Sequence, residues 1–130
     1  MQWTLDQQMG RAKAEAGQAV VANLTTDRAL IGWAKENGCF VYIGRSNRWQ
    51  GLPESPWSNR ACVLQRGASD AERIAAVIGF ERNLLVRSDL LDRLFSLRGC
   101  VLGCWCSPKA CHGDVIARLV NSACQIEHRP

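Results

Sequence analysis

The segment over residues 103–114, Gly-Cys-Trp-Cys-Ser-Pro-Lys-Ala-Cys-His-Gly-Asp, constrains this chain more than any other. It contains three of the seven cysteines and one of the two histidines. A short apolar run over residues 100–102 leads into it, and a helical pattern over residues 114–119 leads out of it. A strand that ends in thiols and continues as a helix is typical of a ligand or reaction site, so function is expected here.

Length and composition predict a single cytoplasmic domain. The 130 residues fit one domain, and 47% of them are hydrophobic, which is enough for a core. No run approaches the roughly 18 apolar residues that span a membrane, and the polar N-terminal segment lacks the features of a signal peptide. The odd number of cysteines does not suggest a disulfide framework, so reduced thiols are expected.

The basic residues predict an anionic partner. The net charge is +4, and thirteen of the sixteen Lys and Arg residues are Arg, whose guanidinium binds phosphate and carboxylate through paired hydrogen bonds. Because these residues are dispersed, an anionic small molecule is favoured over a nucleic acid, and a host protein is a further candidate. An ordinary solvated surface explains the same composition, and the oligomeric state is left open.

Local patterns in the first half predict two helices and a strand. Helices are expected over residues 5–19, with interruptions at Gly10 and Gly17, and from a cap at Thr26 or Asp27 to Asn37, where Gly38 ends the helix. Residues 39–43 are aromatic and β-branched, which indicates a strand. A long irregular loop over residues 44–60 and a short edge strand over residues 62–65 are expected to follow.

The second half predicts helices, a buried strand and a last helix. Ser69 and Glu72 fit a capping box, and Ser88 is expected to cap the next helix, which Gly99 ends. Residues 101 and 102 are expected on a buried strand, and residues 114–119 in the last helix.

This order favours an α/β fold: a small Rossmann-like three-layer arrangement with a short parallel sheet. Residues 1–18 are interpreted as an N-terminal helical extension, residues 19–121 as a single α/β domain and residues 122–130 as a flexible tail. In such folds, ligands bind beyond the carboxyl ends of the strands. Residues 44–46 and 104–106 are therefore expected to face each other across one crevice.

Two motifs resemble the family catalogued as domain of unknown function 4326. One is VYIGR, residues 41–45, and the other is LRGCVLGCWCSPKACHGD, residues 97–114. Residues 20–38 are similar to the leader of some actinobacterial members, so the resemblance covers roughly residues 20–120. The family occurs in phages, plasmids and actinobacterial genomes. The resemblance implies the fold, the place of the site and an origin in a mobile element or its host, but no reaction.

The chain departs from the family pattern after the first motif. The family usually continues with an Arg-rich turn and then Trp-Gly-Asn-Pro-Phe, where this chain has Trp49-Gln-Gly-Leu-Pro53. If that loop shapes a pocket, the pocket of this chain is altered.

Three interpretations of the cysteine segment stay open. In the first, Cys104, Cys106, Cys111 and His112 bind zinc, because three thiolates and an imidazole form a tetrahedral set. In the second, Cys106 or Cys111 is a catalytic thiolate, His112 is a base or ligand, and Asp114 orients His112 or caps the helix. In the third, the thiols pack as small apolar side chains.

Further contacts to a ligand are expected from the strand ends and the first helical turn. The predicted residues are Gly44, Arg45, Ser46, Trp49, Lys109 and Gly113. Arg45 would hold a phosphate through paired hydrogen bonds, and the N–H groups at the helix start favour an anion. Trp49 and Trp57 either stack on a base or pin the loop to the core, and Trp105 is expected to pack beneath the site.

Two functions fit these features. The first is binding, and possible processing, of a nucleotide-like or phosphorylated ligand at the strand-to-helix loop. The second is a non-enzymatic accessory protein of a phage or plasmid that binds a host protein or nucleic acid, with the cysteines structural or holding zinc. Because the sequence has no Walker loop, dinucleotide fingerprint or catalytic triad, it assigns neither a reaction class nor a cofactor.

Overall fold

The computed structural model describes residues 3–59, 67–107 and 109–127, with side chains up to residue 122 in the last helix. This part of the chain forms five helices and three strands. The helices are Leu5–Glu15 (α1), Arg28–Glu36 (α2), Asp70–Leu85 (α3), Ser88–Leu91 (α4) and His112–Glu127 (α5). The strands are Val20–Asn23 (β1), Phe40–Tyr42 (β2) and Val101–Cys104 (β3).

Strand β3 is the centre of a parallel sheet with the order β1-β3-β2. Val101 lies opposite Val20 on one side and Phe40 on the other. All four residues of β3 are buried, as expected of a parallel strand that is covered on both faces. The prediction of a short parallel sheet is therefore confirmed, and the carboxyl ends of the three strands meet at one edge.

The two faces of the sheet carry separate apolar clusters. Val101 packs with residues of α1 and α2, whereas its neighbour Leu102 packs with residues of α3, α4 and α5. This follows from the alternation of side chains along a strand. The fold is thus mixed α/β, with helices packed against both faces of the sheet.

Strand β1 was not predicted. Its four residues, Val-Val-Ala-Asn, lie directly after a helical pattern and do not alternate between apolar and polar side chains. It becomes a strand because the parallel ladder of β3 pairs with it, an interaction between residues about eighty positions apart in the chain.

Asn23, the last residue of β1, connects the ends of β1 and β3. Its Nδ2 donates to the carbonyl oxygens of Trp105 (3.2 Å) and Ser107 (2.8 Å). Its Oδ1 accepts from the backbone N–H groups of Thr25 (2.7 Å) and Thr26 (3.1 Å). The buried amide therefore makes four hydrogen bonds, which use its two donors and both lone pairs of its acceptor.

Several predicted helix boundaries are confirmed and others are corrected. The Ser69–Glu72 capping box forms, and Gly38 and Gly99 have positive φ at the predicted stops. Helix α1 continues through Gly10, which stays helical and lies against Leu30. The helix ends at Glu15.

The stretch after Ser88 is a short helix and a 3₁₀ turn, Leu94–Leu97, rather than one helix. Helix α5 extends to Glu127, into the segment that the sequence predicted as a tail. The edge strand predicted over residues 62–65 lies outside the described residues. Among the residues that are described, no helix combines the length and apolar character needed to cross a membrane.

Asn23→Asp tests the connection between β1 and β3. The isosteric carboxylate still accepts from Thr25 and Thr26 but cannot donate to Trp105 and Ser107, and it places a charge beside two carbonyl oxygens. We expect the free energy of unfolding to fall by about 2 to 4 kcal/mol, measured by urea denaturation. Asn37→Asp is the matched control, because Asn37 makes one exposed bond to Trp33. Equal losses in the two variants would contradict this role.

Candidate functional site

Cys111 caps helix α5 with its own side chain. The backbone N–H of Gly113 donates to Cys111 Sγ at 3.4 Å, and the backbone N–H of Cys111 donates to Asp114 Oδ2 at 3.1 Å. The two bonds form a reciprocal arrangement like that of a capping box, with a thiol in place of a hydroxyl. Of the two roles predicted for Asp114, the structure thus shows the helix cap.

His112, the first residue of α5, is held against the end of β2. Its Nε2 lies 2.7 Å from the carbonyl oxygen of Ile43, and its Nδ1 lies 3.7 Å from Cys111 Sγ. Burial lowers the pKa of His112, and the bond to Ile43 offsets this only in part. The ring is therefore neutral at pH 7. Because a carbonyl can only accept a hydrogen bond, the proton is on Nε2 and is donated to the Ile43 oxygen, and the lone pair of Nδ1 points towards the Cys111 thiol.

Gly113 brings the start of α5 close to the sheet. It is buried, and a Cβ at this position would lie 2.7 Å from Ile43 Cδ1 and 3.2 Å from Val21. Its predicted contact with a ligand stays a prediction. Its small size allows the approach that places Cys111 and His112 at the strand ends.

The three clustered thiols differ in burial and in charge. Cys104 and Cys111 are buried and Cys106 is half-buried. Hydrogen bonds to Cys104 and Cys106, together with burial, raise the pKa of Cys111, which therefore keeps its proton. The neighbouring Cys111 thiol, whose single proton Cys104 and Cys106 share as acceptors, lowers the pKa of Cys104.

Cys106 is the thiol of the cluster whose pKa is lowered most. Its pKa is lowered to about 6, first by the hydrogen bond from Cys111 and then, against burial, by a hydrogen bond and charge attraction from Arg73. A thiolate beside a guanidinium is a nucleophile at neutral pH. Of the two cysteines that the sequence named as a candidate thiolate, Cys106 has the lowered pKa and Cys111 the raised one.

The predicted zinc set stays a prediction. Among the described residues, no group of three or more His, Cys, Asp or Glu side chains is arranged to hold a metal ion. Cys111 Sγ accepts from the helix N–H of Gly113, and His112 Nε2 is bonded to Ile43. The buried thiols of Cys104 and Cys111 fit the apolar packing interpretation better.

A pocket of about 170 Å³ opens beside Cys106, and we call it the thiol pocket. It lies between the end of β2, the start of α3 and the start of α5. Its wall includes Gly44, Arg45, Asn59, Arg73, Cys106, Cys111 and His112. The structure thus brings together the two strand ends that the topology placed across one crevice.

Two buried polar atoms in this wall have no hydrogen-bond partner among the described residues: Arg73 Nε and Asn59 Oδ1. Asn59 is otherwise fixed, because its Nδ2 donates to the carbonyl of Ala76 at 3.0 Å and its own carbonyl accepts from the Arg45 guanidinium at 2.8 Å. One unpartnered donor and one unpartnered acceptor therefore belong to residues that line the same cavity.

Several predicted contacts lie away from the thiol pocket. Ser46 is exposed, and its N–H donates to Glu54. Lys109 is exposed, and its backbone N–H donates to the carbonyl oxygen of Cys106 in a turn. Trp49 is 93% exposed, whereas Trp57 is buried in the core and pins the loop as predicted.

Trp105 does not pack beneath the site. It lies at the surface, 39% exposed, because alternation along the end of β3 directs it to the face opposite Cys104 and Cys106.

Sequence reasoning missed Asn59 and Arg73. Arg73 follows the capping box by one residue, so its place in the first turn of α3 was predictable. Its position beside Cys106 was not, because that depends on how α3 and α5 pack across the sheet. Asn59 lies in the long loop, where no periodicity indicates which side chains face inward.

A family model described as domain of unknown function DUF4326 matches residues 28–122. The chain belongs to this family. The matched DUF4326 range includes every named residue of the thiol pocket wall, whereas β1 and Asn23 precede it.

A phage protein is similar to part of the DUF4326 chain. It is the uncharacterized 12.4 kDa protein in the nrdA-td intergenic region of Enterobacteria phage T4, 41% identical over 59 residues. The similarity covers 42% of this chain and 55% of the phage protein, so it spans about half the length of that relative. No solved structure matches the chain.

Alkylation by iodoacetamide tests the charge state of Cys106. Because only the thiolate reacts and it forms above the pKa, the rate should rise through pH 6 and level off near pH 7. An ordinary thiol, with a pKa of about 8.5, would keep gaining rate beyond pH 8. Mass spectrometry after a short exposure at pH 7 should find the label on Cys106.

Three variants complete this test. Cys106→Ser should remove the fast alkylation. Arg73→Gln should raise the pH at which the alkylation rate is half-maximal by about one unit, because a neighbouring cation is lost. Arg82→Gln, an exposed change on the same helix, should leave the midpoint unchanged. A rate in the unaltered protein that climbs steadily to pH 9 would show that Cys106 is not a thiolate at neutral pH.

Proposed function

We propose that the protein binds a small phosphorylated molecule in the thiol pocket and presents it to the Cys106 thiolate. The observation that carries this proposal is the pair of unpartnered atoms in the wall, Arg73 Nε and Asn59 Oδ1. Buried polar atoms are nearly always hydrogen-bonded in a folded protein, so a ligand that pairs with both supplies the missing partners.

The anionic part of this ligand is assigned from the charges around the pocket. Arg45 and Arg73 border it, and none of its described lining residues is acidic. Guanidinium groups bind phosphate through paired, charge-assisted hydrogen bonds. The start of α5 adds its backbone dipole, which favours an anion. Together these groups also offset the negative charge of the thiolate.

The acceptor atom of Asn59 adds a second requirement. Since Asn59 Nδ2 is committed to Ala76, the unpartnered Oδ1 would take a donor from the ligand, such as a hydroxyl or an amine. A volume of about 170 Å³ is below the roughly 300 Å³ at which typical ligand pockets begin. The ligand is therefore a small hydroxylated phosphate ester rather than a whole nucleotide.

Processing of the ligand would depend on Cys106. Its thiolate is the nucleophile of the pocket, and the neutral imidazole of His112 lies beside the protonated thiol of Cys111. We also infer a Rossmann-like relationship for the fold, supported by the parallel sheet with helices on both faces and by a site at the carboxyl ends of its strands.

A second candidate is a non-enzymatic accessory role through a protein partner. The observation that favours it is a row of exposed apolar side chains on α3, at Ile74 (53%), Ile78 (46%) and Leu85 (53%). Exposed apolar rows of this kind are typical of protein-binding surfaces. This row and the thiol pocket use different residues, so the two roles are separable by mutation.

Isothermal titration with ribose phosphate and glycerol phosphate tests the first role. We expect saturable binding of at least one of them, with ribose and glycerol binding at least tenfold more weakly because the Arg contacts are lost. Arg73→Gln should weaken binding by about tenfold or more, whereas Arg82→Gln on the same helix should not change it. Absence of saturable binding, or equal affinity in the two variants, would contradict a phosphate site at Arg73.

A further inference from the structure

A second pocket opens at the same edge of the sheet but on the opposite face. Its volume is about 320 Å³, and we call it the tryptophan pocket. Residues from the end of β1, one side of α2, the loop after β2 and the end of β3 line it, among them Thr25, Arg28, Lys35, Gln50, Leu52 and Trp105. None of its described lining residues belongs to the thiol pocket.

The topology makes this a favoured place for a ligand. Strands β1 and β3 are neighbours, but β1 continues into α2 on one face of the sheet and β3 continues into α5 on the other. The crevice between two parallel strands whose helices leave in opposite directions is where open α/β sheets bind ligands. Thr25 and Trp105, from the two diverging segments, both line the tryptophan pocket.

Trp105 offers a fixed aromatic surface. Its Nε1 donates to the Tyr42 hydroxyl at 2.9 Å, and that hydroxyl donates to the carbonyl of Arg45. The indole N–H is therefore already bonded and the ring is held in place, while 39% of the residue remains exposed. A preorganised, exposed aromatic face is what a planar base stacks on.

The charges of the tryptophan pocket are positive. Arg28 and Lys35 lie seven residues apart on α2 and so share one face of the helix. Neither forms a salt bridge with a described residue, although the Lys35 ammonium lies 5.2 Å from the centre of the Phe40 ring. None of the described lining residues is acidic.

We propose that the tryptophan pocket binds a nucleoside phosphate, with the base stacked on Trp105 and the phosphate held by Arg28 and Lys35. The volume of about 320 Å³ lies within the range of small-molecule sites. Thr25 and Gln50 supply hydroxyl and amide groups for the sugar and the base edge. The thiol pocket lacks both the volume and the aromatic surface for this ligand.

The experiment is isothermal titration of the full chain with the four ribonucleoside monophosphates, each compared with its nucleoside and with inorganic phosphate. At least one nucleotide should bind saturably, and at least tenfold more tightly than either of its parts, because stacking and phosphate contacts then act together. No saturable nucleotide binding, or equal binding of the nucleoside, would overturn the proposal.

Variants locate the binding. Trp105→Ser and Arg28→Gln should each weaken nucleotide binding by about tenfold, and Trp105→Phe, which keeps an aromatic face, should retain most of it. The controls are Trp49→Ser, an exposed Trp outside both pockets, and Arg73→Gln in the thiol pocket. Both should bind the nucleotide normally, so this proposal and the proposed function fail independently. Equal loss in Trp49→Ser and Trp105→Ser would overturn the assignment.

A single-stranded oligonucleotide distinguishes the source of the nucleoside phosphate. A free nucleotide should bind at least as tightly per site as an oligothymidine, with a weak dependence on salt. Much tighter binding of the oligonucleotide, with affinity falling steeply as salt is added, would show contacts to several phosphates. That result would overturn the small-molecule ligand in favour of a strand.

Discussion

The burial of β3 between two parallel partners is the constraint on which the site depends. With a neighbour on each side and helices over both faces, this strand has its backbone groups paired with β1 and β2 in one register. The three strands then end together, and the chain must close that edge. Asn23 bonds the β3 loop to β1, and His112 bonds the start of α5 to the end of β2. Two side chains therefore set the geometry of the functional edge.

The side chains of Cys104, Trp105 and Cys106 lie on alternate faces of the sheet. Because side chains alternate along an extended chain, the cysteines face α5 and the tryptophan faces α2. One face acquires a thiolate beside Arg73, and the other acquires an aromatic surface beside Arg28 and Lys35. Adjacent residues after the end of β3 thus line the two pockets, Trp105 the tryptophan pocket and Cys106 the thiol pocket.

Local features of the fold were predictable from sequence. The Ser69 capping box, the glycine stops and the strand-to-helix segment at Cys111 all depend on neighbouring residues. Strand β1 and the approach of Arg73 to Cys106 were not predictable, because they arise from contacts between distant segments. The zinc interpretation of Cys104, Cys106, Cys111 and His112 stays a prediction. Donor types and spacing suggested four ligands, whereas the roles of Cys111 in the cap on α5 and of His112 in the bond to Ile43 depend on the folded structure. The division into extension, domain and tail stays a prediction.

We propose that an anion binds beside Arg73 and Cys106 in the thiol pocket. The test is a titration of the isotopically labelled protein with inorganic phosphate, followed by two-dimensional proton–nitrogen NMR. We expect saturable shifts of the Arg73 Nε–H signal and of the backbone amides of Cys106 and His112. Shifts that do not saturate, or that are spread over exposed arginines such as Arg48 and Arg82, would contradict it.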